Sequence, residues 1–136
     1  MVKDLIKRVS KTDSQWRNLL SDNVFEVTRN GGTEKPFTGK YNNHFSDGLY
    51  ACACCGNELF DSKFKFKSSC GWPSYSEPLC QDSVDKNIDL SHNMSRTEVK
   101  CSGCDAHLGH VFDDGPEHNG LRYCINSAAL IFKKVK

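Results

Sequence analysis

Two short cysteine motifs restrict this chain more than anything else in it: Cys52-Ala53-Cys54-Cys55-Gly56 and Cys101-Ser102-Gly103-Cys104. Each C-x-x-C can turn tightly enough to aim two sulfurs at one ion. With 45 residues between them, a shared ion would tie remote parts of the chain together and remove much unfolded-chain freedom. Four thiolates at about 2.3 Å suit tetrahedral zinc, and a site closed by four protein ligands has no vacancy for substrate, so the predicted role of Zn2+ is structural. A redox C-x-x-C, two disulfides, or iron in the same four-sulfur geometry are the competing readings, and the repeated spacing favours zinc. Cys54 permits other pairings in the first motif, but the spacing of the second selects Cys52 and Cys55.

The 136 residues are most simply one domain with one hydrophobic core. A formal net charge of +1 gives no whole-molecule reason to expect nucleic acid or an anionic membrane. No apolar run reaches the length of a membrane span, and residues Met1 to Ser10 lack the core of a signal peptide. The expectation is a soluble cytoplasmic protein, a monomer by default. Eight cysteines would also suit a secreted disulfide scaffold, but their paired spacing points to metal binding in a reducing compartment. Lys63, Lys65 and Lys67 alternate and predict one solvated strand face.

Residues 1 to about 30 read as helical. Leu5, Ile6 and Val9 stand at helical spacing, and Thr12-Asp13-Ser14-Gln15 forms a capping box before Trp16, Leu19 and Leu20. Gly31-Gly32 stops the helices. The organisation expected is a helical cover segment over 1–31, anchored by Trp16, and a zinc-containing β domain over 32–136. His44 reads as a loop histidine. After Gly48, short β-branched and aromatic runs alternate with turn residues, without the long helices of a parallel sheet. The fold class is therefore mainly β: two packed antiparallel sheets, a structural zinc site and short N-terminal helices.

Setting aside the four ligands leaves Cys54, Cys70, Cys80 and Cys124. In Arg122-Tyr123-Cys124-Ile125-Asn126, strand alternation puts Arg122, Cys124 and Asn126 on one side and Tyr123 and Ile125 on the other. Positive charge beside the thiol should lower its pKa below about 8.5. A merely buried cysteine is the plainer reading, but Arg122 on the same face would then need a buried partner. Cys70 lies in Ser68-Ser69-Cys70-Gly71-Trp72-Pro73-Ser74-Tyr75, where Gly71 and Pro73 bracket a turn presenting a thiol and an indole together. The face of Trp72 suits a methyl-sulfur group, a contact worth about 0.3–1.5 kcal/mol. In His107-Leu108-Gly109-His110-Val111-Phe112-Asp113-Asp114-Gly115-Pro116, the histidines face opposite ways on a straight strand. They can share a site only if the chain bends or bulges at Gly109. Asp114 is expected to orient one imidazole and raise its pKa, leaving a proton for a reacting oxygen near neutral pH, with His107 the weaker candidate.

Taken together, the two cysteine motifs, the Cys70-Gly71-Trp72-Pro73-Ser74 loop, the His107–Pro116 run and Arg122-Tyr123-Cys124-Ile125-Asn126-Ser127 resemble the type B peptide methionine sulfoxide reductases, over roughly Gly32 to Phe132. The resemblance implies reduction of methionine R-sulfoxide, free or in oxidised proteins, with Cys124 as nucleophile passing through a sulfenic acid. It implies Cys70 as the resolving cysteine, a Cys70–Cys124 disulfide, and thioredoxin as reductant. It also implies His110 as proton donor with His107 as helper, Asn126 positioning water or substrate, and Asp114 orienting the donor or binding substrate. Arg122 would favour the thiolate, and Trp72 would receive the methyl group. Ser69 and Tyr75 stand where glycine and phenylalanine are frequent, and Tyr75 would add a hydroxyl on the substrate side. Cys54 and Cys80 are rival partners for the sulfenic acid. The competing functions are a non-catalytic zinc-stapled β binding module, which needs neither Cys70 nor Cys124, and a redox sensor without sulfoxide preference.

Overall fold

The structure is a computed structural model that describes residues 8–116 and 119–134. Among the described residues the α-helices are α1 (Asp13–Leu19) and α2 (Asp22–Thr28). Thr12 caps α1 as expected: its hydroxyl accepts from the Gln15 N–H while the Gln15 side chain accepts from the Thr12 N–H. Ser21 caps α2 by accepting from the Val24 N–H at 3.4 Å. Helices this short do not stand alone in water. They hold by packing, since Trp16, Phe25 and Val27 are buried in the core that the strands share. Leu5 and Ile6 lie outside the described residues. Val9 precedes the helices in extended chain, its N–H donating to Gly103 O at 2.8 Å, while Arg8 donates to Ser102 O and Asp105. Arg8 and Val9 thus lie on the second cysteine motif.

The strands are β1 (Gly48–Cys52), β2 (Glu58–Asp61), β3 (Lys65–Phe66), β4 (Ser74–Tyr75), β5 (Val84–Asp89), β6 (Arg96–Cys101), β7 (His107–Phe112), β8 (Arg122–Ile125) and β9 (Leu130–Lys134). They form a three-stranded sheet, β2-β1-β9, and a six-stranded sheet, β3-β4-β8-β7-β6-β5. The described pairings are antiparallel, giving the mainly β, two-sheet fold that the turn spacing implied. The smaller sheet supplies Tyr50, Leu59, Phe60 and Leu130 to the core, and the larger supplies Tyr75, Val99, Leu108, Tyr123 and Ile125. Burying one side chain of this size contributes about 1.5–3 kcal/mol. Among the described residues no helix is long and apolar enough to cross a membrane.

Two side chains depart from expectation. Tyr75 pairs with Tyr123 and Ser74 with Cys124, so alternation turns Tyr75 away from the thiol. It stacks on Phe60 at 4.4 Å in the core, and its hydroxyl is not on the substrate side. Lys65 is buried between exposed Lys63 and Lys67 because the 3-10 turn Ser62–Phe64 interrupts the alternation. Its ammonium donates to the carbonyls of Tyr41 and His44, and burial pushes its pKa down to about 8.

Candidate active site and metal centre

Alternation along β8 does what its sequence required. Tyr123 and Ile125 are fully buried, while Arg122 and Cys124 are partly open on the opposite face. Across the sheet, register aligns Ser74, Cys124, His110, Glu98 and Asn87 in one row. His110 is therefore the direct cross-strand neighbour of the thiol, where β-carbons stand about 4.5–5.5 Å apart.

The histidines share that face because β7 bulges. Val99 pairs with Gly109 but Lys100 pairs with His107, so Leu108 is the extra residue and the alternation shifts by one. The two imidazole centroids end 5.5 Å apart. Gly109 has its own reason to lack a side chain: a Cβ there would stand 2.0 Å from Cys124 O. The Leu108 carbonyl accepts from the backbone N–H of Asn126 at 2.9 Å and from its side-chain amide at 3.0 Å.

Cys70 Sγ lies 3.8 Å from Cys124 Sγ, 3.4 Å from Ser74 Oγ and 3.3 Å from the Trp72 carbonyl. The pair opens onto a cleft of about 130 Å³ lined by Trp72, His110, Asn126 and Arg122, and by Thr33, Arg96 and Phe112 as well. That volume is below the ~300–1,000 Å³ of drug-sized pockets and suits the end of one side chain. Trp72 is fixed at its edge, Nε1–H donating to Glu34 O at 3.0 Å.

The electrostatics differ from those expected. Burial pushes Cys124 up to about 12, with the neighbouring Cys70 adding to the rise and Arg122 only opposing it. Cys70 is lowered: burial works against its thiolate, but hydrogen bonds from Ser68 and Ser74 and its neighbour Cys124 outweigh it. Arg122 alone thus does not hold Cys124 as thiolate. Among the described residues, Asp114 faces a guanidinium rather than an imidazole. Its carboxylate accepts from Arg122 Nε at 2.9 Å and the guanidinium NH2 at 3.2 Å.

The imidazole partners are Asp89, 2.7 Å from His110 Nε2, and Glu98, 2.6 Å from His107 Nδ1. Burial lowers the His110 pKa, and the hydrogen bond to Asp89 only partly offsets it. His107 does not line the cleft, and its Nε2 is buried without a partner. Asn126 reaches the cleft, but its side-chain Oδ1 accepts from the Glu34 N–H at 3.0 Å, tying the 33–37 loop to the residue that follows β8. Asp89, Arg96, Glu98 and that loop escaped the sequence reading because each arrives from far along the chain. His44 bonds Tyr50 at 2.8 Å and packs on Phe132, outside the cleft lining.

At the other end of the sheets, the sulfurs of Cys52, Cys55, Cys101 and Cys104 all lie within 4.8 Å of one another. Cys52 to Cys104 is 3.7 Å and Cys55 to Cys101 is 3.6 Å, against about 3.8 Å between thiolates at tetrahedral zinc distances. N–H groups turn inward to the sulfurs: Cys54 N to Cys52, Gly103 N to Cys101, and the Arg29 guanidinium to Cys104. The residues fit a four-thiolate metal, with Cys54 beside the site rather than in it. Because Cys52 ends β1 and Cys101 ends β6, the cluster joins the two sheets.

Residues 20–134 match the SelR domain family. The chain is 54% identical over 125 residues to the peptide methionine sulfoxide reductase MsrB of Hahella chejuensis (strain KCTC 2396), covering 92% of this chain and 90% of that one. It is 53% identical over 131 residues to the MsrB of Variovorax paradoxus (strain S110), covering 93% and 96%. Among solved structures, the Mis18 'Yippee-like' domain aligns with a TM-score of 0.53 at 17% identity over 67% of this chain and 99% of that one, a likeness of fold alone. The near-full-length identities define the class: an oxidoreductase that reduces methionine sulfoxide. Within that class the chain belongs to the MsrB family, which implies sulfoxide substrates and a thiol reductant.

Proposed function

We propose that this chain reduces the R epimer of methionine sulfoxide, free or in oxidised proteins, with Cys124 as nucleophile, Cys70 as resolving thiol and thioredoxin as reductant. The observation that carries the reading is the 3.8 Å between the two sulfurs in a cleft walled by Trp72 and His110. Neutral His110 takes the Cys124 proton, and the thiolate, steadied by Arg122, attacks the sulfoxide sulfur. The imidazolium returns the proton to the oxygen as it transfers to sulfur, leaving methionine and a Cys124 sulfenic acid. Cys70 then attacks that sulfur, water departs, and a Cys70–Cys124 disulfide remains. Thioredoxin reduces it through its own dithiol.

Trp72 against the methyl and imidazole against the oxygen make the cleft chiral, which supports one epimer over the other. Asn126 acts by holding the loop wall and offering its remaining amide hydrogen. Asp114 acts through Arg122, and His107 stands behind His110. A zinc ion held by Cys52, Cys55, Cys101 and Cys104 would supply a cross-link between the sheets. Residues 1–31 serve as cover for the catalytic unit 32–136, a division supported by the Arg8 and Val9 contacts on the second cysteine motif. The protein works as a cytoplasmic monomer.

The fold alone does not separate this reading from a zinc-stapled binding module. Methionine release from each epimer by wild type, Cys124→Ser and Cys70→Ser does. The reading expects R-epimer turnover in wild type, none in Cys124→Ser, and one equivalent without thioredoxin recycling in Cys70→Ser. Full activity of Cys124→Ser would overturn it.

A further inference from the structure

The β5–β6 hairpin delivers to the cleft a carboxylate and a guanidinium that the cysteine and histidine motifs leave unassigned. Asp89 Oδ2 accepts from His110 Nε2–H at 2.7 Å, and Oδ1 accepts from the Ser91 N–H at 2.9 Å. One guanidinium nitrogen of Arg96 stands 3.6 Å from the same Asp89 oxygen, while its Nε is buried without a partner. Arg96 itself lines the cleft. A neutral imidazole has one N–H and one lone pair, and the bond made at one nitrogen decides which is which. With Nε2–H donated to a carboxylate, the lone pair sits on Nδ1.

We infer that Asp89 is a positioning residue for proton transfer: it fixes His110 as the Nε2–H tautomer, so that Nδ1 exchanges the proton between Cys124 and the sulfoxide oxygen, and Arg96 sets how strongly Asp89 draws on that imidazole. The inference rests on Cys124 being the nucleophile and His110 its base. A carboxylate at Nε2–H makes Nδ1 more basic, whereas a guanidinium beside that carboxylate disfavours the imidazolium. The two neighbours therefore pull in opposite directions. The charged and titratable groups facing His110 are Asp89 on β5, Arg96 and Glu98 on β6, His107 on β7 and Cys124 on β8. Of these, Asp89 raises the His110 pKa, and Arg96 and His107 lower it. Asp89 stays ionised, held far below the usual carboxylate range by its bonds to His110 and Ser91. Glu98 holds His107 in the same manner, but His107 does not line the cleft, which makes Glu98→Gln the natural control.

The test pairs nitrogen-15 NMR of the histidine rings with the pH profile of single-turnover methionine release for wild type, Asp89→Asn, Asp89→Glu, Arg96→Gln and Glu98→Gln. Wild type should show His110 as Nε2–H. Asp89→Asn should lose that tautomer preference, release methionine about 10–100-fold more slowly, part of the ~10²–10⁴-fold that positioned proton transfer supplies, and move its acid limb to lower pH with an unchanged melting temperature. Arg96→Gln should move the acid limb to higher pH, Asp89→Glu should recover part of the rate, and Glu98→Gln should keep His110 as Nε2–H. Unaltered tautomer and acid limb in Asp89→Asn would overturn the assignment, as would equal losses in the asparagine and glutamate variants. The ring spectra are read without substrate. Absence of methionine release in wild type would strike the nucleophile reading, while the tautomer still decides the role of Asp89.

Discussion

The four knuckle sulfurs and the Cys70–Cys124 pair share spacings of 3.6 to 3.8 Å, yet their surroundings differ in kind. Around the knuckles, backbone N–H groups and Arg29 turn toward sulfur, Cys52, Cys101 and Cys104 are buried, and the four can close on one ion. The pair faces a cleft, has the Ser68 and Ser74 hydroxyls beside Cys70, and has a histidine as cross-strand neighbour of Cys124. Sulfur–sulfur distance therefore does not select the chemistry. What selects it is whether the surroundings saturate the sulfurs or leave one face open to a reactant.

The sharpest way to break that contrast is to remove one sulfur from each group. Cys101→Ser, or complete chelation, should unfold the β sheets, because structural zinc contributes roughly 10–16 kcal/mol against a domain stability of about 5–15. An unchanged thermal melt would remove the clamp from the account. Cys124→Ser should melt as wild type does while methionine release falls by at least about 10³-fold. Comparable unfolding in both variants would erase the distinction. Trp72→Ala should raise KM by up to about tenfold with the melt little changed, the scale of a sulfur–aromatic contact, and an unaltered KM would place the methyl group elsewhere.

The smallest effect concerns stability against pH. Cys124 is raised to about 12 when folded, against about 8.5 for a free cysteine. Above pH 8.5 the unfolded chain therefore binds fewer protons, and stability contributed by this thiol falls as pH rises toward 12. Cys124→Ser should flatten the alkaline decline in chemical-denaturation midpoints between pH 8 and 10. An equal decline in both proteins would contradict the burial assigned to this thiol.

What could be read from the sequence was local. The x-x spacing of the cysteine motifs, the Thr12 capping box, the two-faced strand at Cys124 and a bulge at Gly109, which falls one residue earlier at Leu108, all depend on residues a few positions apart. What could not be read depends on register. Asp114 is the acidic residue four positions from His110, and sequence proximity assigned it to an imidazole. Strand pairing instead brings Asp89 across from β5, and Asp114 turns to Arg122. The cation beside Cys124 was visible, but the burial that outweighs it was not. Lys65 departs from the solvated face of its lysine neighbours for a similar reason, because a single 3-10 turn resets which face a residue takes.

The most direct test of the account is one turnover of wild type on methionine R-sulfoxide without reductant, followed by mass-spectrometric mapping of every cysteine. The account predicts one methionine released per chain and a single disulfide joining Cys70 to Cys124, with Cys52, Cys55, Cys101 and Cys104 still holding metal. A disulfide formed instead through Cys54, Cys80 or a knuckle cysteine, or methionine released with Cys124 still a thiol, would contradict it.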